Sequence, residues 1–158
     1  MPPEFREAGP DDVETLLGML RAFNASQTYP FDEAVARRAL IELLGSAALG
    51  RVWLIVAAGA PVGYLALTLG HSLEYGGRDA FLDELFVEPG SRRRGLGRAA
   101  LEFGLAQAAA LGVRAVHLEV ERGNESARAL YRSLGFQDKD RQLLTRRLSG
   151  GRAGDAEA

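Results

Sequence analysis

The sequence predicts an α/β (α+β) domain with a mixed central sheet and helices on both faces, and three observations predict it. Runs of β-forming residues alternate with stretches of helical periodicity along most of the chain. Two early β-rich runs, residues 52–57 and 62–69, flank Gly59-Ala60-Pro61 and read as an antiparallel hairpin. Later, a strand, a long alanine- and leucine-rich helix, a strand and a second helix follow in that order, as expected for a parallel pair joined by a crossover.

Each element has its own signal. A short strand over residues 4–8 comes first. Asp11 stands three positions before Glu14, a capping-box pattern, and Leu16, Leu17, Leu20 and Phe23 recur behind it at helical spacing. A loop over residues 24–31 contains Tyr29-Pro30, and Asp32 then caps a second helix. Val35, Ala39, Leu40, Leu43 and Leu44 form its apolar face, and Gly45 stops it. After the hairpin, a polar loop over residues 70–79 leads to a third strand of the meander, residues 81–87. A helix is expected over 95–111, ended by Gly112, and a strand over 113–120 carries Val116, Leu118 and Val120 on one face. Residues 126–134 form the last helix, closed by Gly135, and residues 137–148 are expected to supply a final strand or hairpin.

The totals bound the rest. One domain, residues 1–148, is the natural reading of 158 residues with 47% hydrophobic and 25% charged side chains. Residues 149–158 hold no apolar side chain larger than alanine and read as a disordered tail. With no cysteine, the chain has no disulfide, no thiolate metal site and no cysteine-linked acyl-enzyme. Neither a secretion-signal pattern nor a membrane-length apolar run is visible, so the expected location is cytoplasmic, with no membrane partner. The net charge of −2 gives no general attraction to nucleic acid, whereas Arg92, Arg93, Arg94 and Arg98 concentrate positive charge locally. Such a cluster suits a small anion better than a long polyanion. No metal is expected, and His71 and His117 read as isolated surface residues.

The segment from Val87 to Arg98 carries the chemical signal. Pyrophosphate needs several converging N–H donors, and a helix start supplies them along a favourable dipole. Gly95 and Gly97 fall where the long helix begins and let backbone approach an anion without a Cβ in the way. The arginines add forked donors. A solvated basic turn would show the same residues. Gly95-Leu96-Gly97-Arg98-Ala99-Ala100 also fits the dinucleotide fingerprint, with Glu119 near the ribose-binding position. That fingerprint, however, puts its first glycine directly after the strand, and here residues 88–94 intervene.

These residues resemble the GNAT superfamily of N-acetyltransferases. Val87, Pro89, Arg92, Gly95 and Gly97 match its strand end, proline turn and Arg-x-x-Gly-x-Gly helix start. Asn124-Glu125-Ser126-Ala127, Leu130-Tyr131 and Leu134-Gly135-Phe136 match its second motif at the expected distance. The resemblance covers most of residues 4–148 and is specific over 83–136. One departure is the triple arginine, since Arg93 stands where many members carry an extra glycine. The resemblance implies a mostly antiparallel sheet with a splayed parallel strand pair, between which acetyl-CoA lies as co-substrate. Backbone of Leu85, Phe86 and Val87 would bond the pantetheine arm and thioester carbonyl. Arg92 and the backbone of Arg93, Arg94, Gly95, Leu96, Gly97 and Arg98 would hold the pyrophosphate, and Asn124 and Ser126 would bond the cofactor from the second motif.

Tyr131 matches the family's general acid. A phenol of pKa about 10 protonating a thiolate of pKa about 8.5 runs uphill by about 2 kcal/mol, so Tyr131 must be tuned or act mainly by hydrogen bonding. Deprotonating an amine of pKa about 10.4 at neutral pH costs about 4–5 kcal/mol, so a base is useful. Asp83 and Glu84 immediately precede the strand end. Alternation places Asp83 with Leu85 and Val87, and Glu84 opposite, unless a bulge intervenes. Asp83 is favoured slightly, with Glu84 retained. Glu74, Asp79, Asp83 and Glu84 make the approach acidic, which suits a small cationic amine, and Tyr29, Phe31 and Tyr75 lie on loops that line the acceptor pocket in relatives. The expected activity is direct transfer of an acetyl group from acetyl-CoA to a primary amine. A protein amine as acceptor, a nonenzymatic acyl-CoA sensor and a homodimer stay open, and binding of nucleic acid is not expected.

Overall fold

The computed structural model describes residues 2–148, so the tail expected over 149–158 lies outside the described residues. The chain divides into two compact units, the first ending at Leu118 and the second starting at Glu119. Among the described residues, no helix is long and apolar enough to cross a membrane.

The first unit is a five-stranded sheet in the order β1-β2-β3-β4-β5: β1 is Glu4–Glu7, β2 Gly50–Ala57, β3 Ala60–Ser72, β4 Gly77–Val87 and β5 Ala115–His117. The first four strands are antiparallel neighbours, and β5 runs parallel to β4. The β2–β3 turn places both Ala58 and Gly59 at positive φ, the conformation that matches hairpin twist.

Alternation along β2 and β3 divides the core in two. Val52, Leu54, Tyr64 and Ala66 face α1 (Val13–Ser26) and α2 (Glu33–Gly45), packing with Leu16, Leu17, Met19 and Leu40. On the other face, α3 (Leu96–Ala110) lays Leu96 and Ala100 against Ile55 and Val62. Phe103 stacks on Phe5 and meets Trp53 edge-on. Gly104 brings the helix close to the sheet, since a Cβ there would stand 2.9 Å from a methyl of Leu65. Two ion pairs, Arg21–Glu33 and Arg37–Glu14, tie α1 to α2.

Asp32 caps α2 as its sequence predicts, its carboxylate accepting from Val35 N–H at 3.2 Å. The capping box at Asp11 does not form. A 3-10 turn over Pro10–Asp12 precedes α1, and Asp12 turns back to accept from Gly9 N–H and from Arg6. Glu14 is engaged by Arg37 instead. The strand expected over residues 113–120 shortens to Ala115–His117.

The second unit contains α4 (Glu125–Ser133), capped by Asn124, whose side-chain oxygen accepts from Ala127 N–H at 3.2 Å. Gly135 ends it at φ +93. The strand or hairpin expected over residues 137–148 is not formed. Leu143, Leu144 and Leu148 are 64%, 87% and 90% exposed, so no buried face stabilises an extended strand there.

Candidate functional site

The β4–β5 ladder has three rungs, Asp79–Ala115, Ala80–Val116 and Phe81–His117, and pairing ends at the third. β4 itself continues to Val87, so beyond the last rung its outer edge has no strand partner among the described residues. On the inner side, Gly63, Tyr64, Leu65 and Ala66 oppose Val87, Phe86, Leu85 and Glu84. Glu88 N–H donates to the Val62 carbonyl at 2.8 Å, and a Cβ on Gly63 would fall on the Phe86 carbonyl oxygen. Both place the polar groups of the even-numbered residues toward β3. By alternation, the N–H groups of Leu85 and Val87 point to the open edge, and that of Phe86 is committed to the ladder.

Below this stretch the register jumps, with Ala66 opposite Glu84 but Leu67 opposite Leu82. Asp83 is the extra residue of a β-bulge. The bulge reverses the expectation that Asp83 shares a face with Leu85 and Val87. Leu85 and Val87 pack on the α3 side, whereas Glu84 points to the α1–α2 side and accepts from the Tyr64 hydroxyl at 2.7 Å. Asp83 is near enough to help raise the Tyr64 pKa, behind burial and Glu84 itself. Both carboxylates therefore serve one face.

Their states differ. Glu84 is tied to a buried phenol. Asp83 has solvent access yet sits among enough protein that desolvation raises its pKa. A raised pKa makes a carboxylate a stronger proton acceptor, provided it is ionised at working pH.

The loop after β4 begins with a 3-10 turn over Pro89–Ser91. Arg92 folds back over it, its Nε donating to the Val87 carbonyl at 2.8 Å and its guanidinium lying 6.0 Å from the Phe86 ring centre. Arg93 adopts φ +64, in the left-handed region that favours glycine. Gly95, at φ +73, is the N-cap of α3 and offers no side-chain cap. The first-turn N–H groups of Leu96, Gly97 and Arg98 are thus available to an anion. A Cβ on Gly97 would meet nothing within 4 Å, so protein packing does not require a glycine there. Arg94 is exposed, and Arg98 pairs with Glu102 at 3.1 Å, one turn along the helix.

In the second unit, Ser126 donates its hydroxyl to Asn124 Oδ1 at 3.3 Å, so both predicted cofactor residues also build the start of α4. Tyr131 is half-buried, meets Phe136 edge-on and has its pKa raised by desolvation. It holds its proton at neutral pH, the state a general acid requires.

The predicted acceptor residues fare unequally. Phe31 is half-buried against the α1–α2 core, with the Arg21 guanidinium over its ring. Tyr29 is 39% exposed after α1. Glu74 and Tyr75 occupy the β3–β4 turn, where Tyr75 meets the His117 ring. The sequence reading missed this environment of His117: its Nε2 lies 3.0 Å from Asp79 Oδ2, and its ring also meets Phe81. The only signal was the parity of residues on two strands whose register the sequence does not disclose.

Residues 16–136 match the Acetyltransferase (GNAT) family. Over 60 residues the chain is 43% identical to the [ribosomal protein bS18]-alanine N-acetyltransferase of Escherichia coli K12, a match covering 38% of this chain and 40% of that relative. An uncharacterized N-acetyltransferase of Methanocaldococcus jannaschii is 35% identical over 83 residues, covering 52% of this chain and 37% of its own length. The chain thus spans well under half the length of these curated relatives. Among solved structures, an integron cassette protein from the mobile metagenome of Cole Harbour Salt Marsh superposes with a TM-score of 0.83 at 37% identity, over 93% of this chain and 91% of that one. An aminoglycoside N-acetyltransferase in complex with CoA shares the fold, with a TM-score of 0.77 at 17% identity over 92% and 96% of the two chains.

Proposed function

The chain belongs to the GNAT acetyltransferase family, and from that premise we propose that it moves an acetyl group from acetyl-CoA directly to a primary amine of a small cationic molecule. The carrying observation is the conjunction on β4: outward N–H groups at Leu85 and Val87, the Asp83 carboxylate with solvent access in the bulge below them, and a helix start beyond the strand with no side-chain cap. Acetyl-CoA supplies an activated thioester when bound.

The protein's own groups divide the work. The N–H of Leu85 or Val87 donates to the thioester oxygen and stabilises the charge that develops there. Backbone from Arg93 to Arg98, with the arginine charges, holds the pyrophosphate, and the resemblance of the second motif to the family's assigns Asn124 and Ser126 a cofactor-binding role. Asp83 accepts the proton that the amine loses, directly or through one water. The amine nitrogen bonds to the acetyl carbon, the carbon–sulfur bond breaks, and Tyr131 donates a hydrogen bond or proton to the departing sulfur. The products are the acetylated amine and the free thiol of coenzyme A. Lacking cysteine, the chain offers no thiol on which the acetyl group could rest.

The similarity to an enzyme named for a ribosomal protein alanine supports a second reading, with a protein α-amine as acceptor. One screen separates the two. With acetyl-CoA and a panel of small amines and amino-terminal peptides, free thiol release is followed. Turnover on small amines supports the proposal, turnover on peptides alone supports the second reading, and none at all leaves only an acyl-CoA-binding role.

A further inference from the structure

The rings beside Asp83, of which Phe81 is the exposed one, say more about the acceptor than the acidic residues do. Of the four carboxylates on the approach, Asp79 faces His117 and Glu84 holds Tyr64, so neither is simply open to a cation. On the same sheet face, Tyr64 and Phe86 are covered, at 2% and 3% exposure, but Phe81 is 37% exposed. Phe81 pairs with His117 on the last rung before β4 continues alone. Its ring stands 5.1 Å from that of His117, which stands 5.2 Å from that of Tyr75. Three neighbouring rings, tilted by 44° and 58° from one to the next, thus form a faceted shelf.

The shelf is built to stay in place. Asp79 holds His117 through Nε2, the nitrogen that must carry the hydrogen because a carboxylate accepts. Gly70 keeps the slot for that carboxylate open, since a Cβ there would come within 2.7 Å of Asp79 Oδ1. Tyr75 is fixed through its backbone, its N–H donating to Ser72 Oγ and its carbonyl accepting from Arg114 Nε, both at 3.2 Å.

We propose that Phe81 and His117 are specificity-determining residues that bind a flat or apolar body attached to the acceptor amine. The inference rests on the proposed transfer reaction. Asp83 lies two residues along β4 from Phe81, about 6–7 Å on the same face. An amine at Asp83 therefore carries its substituent over the rings, and an arylalkylamine with a short tether fits that spacing. Charge selects the nitrogen, and the shelf selects what it is attached to.

The test compares kcat/KM for 2-phenylethylamine and for ethylamine, at saturating acetyl-CoA. The wild-type protein is expected to favour the aryl amine at least about tenfold, worth about 1.4 kcal/mol. Phe81→Ala should bring the ratio near one by raising KM for the aryl amine, and Phe81→Leu should restore part of it. Gly70→Ala, which displaces Asp79 and loosens His117, should lower the ratio as well. Thermal unfolding of each variant controls for loss of fold. A wild-type ratio near one, or one that Phe81→Ala leaves unchanged, overturns the inference. Thiol release with no amine at all refutes the transfer reading and takes the inference with it.

Discussion

At the residue scale, the division of labour between Asp83 and Glu84 is decided by what each touches. Sequence alternation could show that two adjacent carboxylates approach the strand end, and it favoured the first. It could not show the bulge, because a bulge changes register without changing composition. Once the bulge is formed, Glu84 is bonded to the Tyr64 hydroxyl and Asp83 is the carboxylate with solvent access and a raised pKa. Asp83→Asn is expected to lower kcat/KM by roughly 10²–10⁴-fold, the usual range for a general base. It should also abolish the acid limb of the pH–rate profile, which in the wild-type protein lies above the ordinary aspartate value of about 3.9. The sign for stability is opposite. A group whose folded pKa is raised loses its stabilising contribution as pH rises through that pKa, so Asp83→Asn should be no less stable than wild type at neutral pH. Urea titrations of both proteins beside the rate profiles check this, and a Glu84→Gln variant that alone removes the acid limb would transfer the role to Glu84.

At the element scale, the loop between β4 and α3 shows how an imperfect sequence match can still build the expected backbone. Arg93, the departure from the family's glycine, takes a left-handed conformation at φ +64 all the same. A non-glycine residue there costs roughly 1–2 kcal/mol. Glycine would lose about 0.5–1 kcal/mol through its freer unfolded chain, leaving a net gain. Arg93→Gly is therefore expected to stabilise the fold by about 0.5–1 kcal/mol, read as a shift in urea midpoint at constant slope; a destabilised variant would mean that the Arg93 side chain supports the loop. The same loop was legible in advance because its signals are local, a proline turn and glycines at a helix start. The ends of β5 and the conformation of residues 137–148 were not. Val116, Leu118 and Val120 have strand periodicity, but the ladder stops at His117, and the leucines after residue 137 find no face to bury against.

At the largest scale, the β2–β3–β4 meander, the helices on both faces of the first unit and the parallel β4–β5 pair follow from patterns visible in the sequence, whereas the place of β1 beside β2 does not. Hydrophobic periodicity identifies elements, and the crossover between parallel strands constrains how they join. The helix start assigned to the donor in the proposed reaction was legible for the same reason, since it is signalled by a proline turn and glycines. The acceptor side depends on which side chains meet across strands. Neither the internal engagement of Asp79 and Glu84 nor the ring shelf at Phe81 and His117 could be read before the register was known. Direct acetyl transfer to an amine is checked by intact mass measurement of protein and amine after incubation with acetyl-CoA. The account predicts a 42 Da gain on the amine in step with thiol release, and no change in protein mass with or without amine. An acetyl group that accumulates on the protein and then passes to the amine would contradict it.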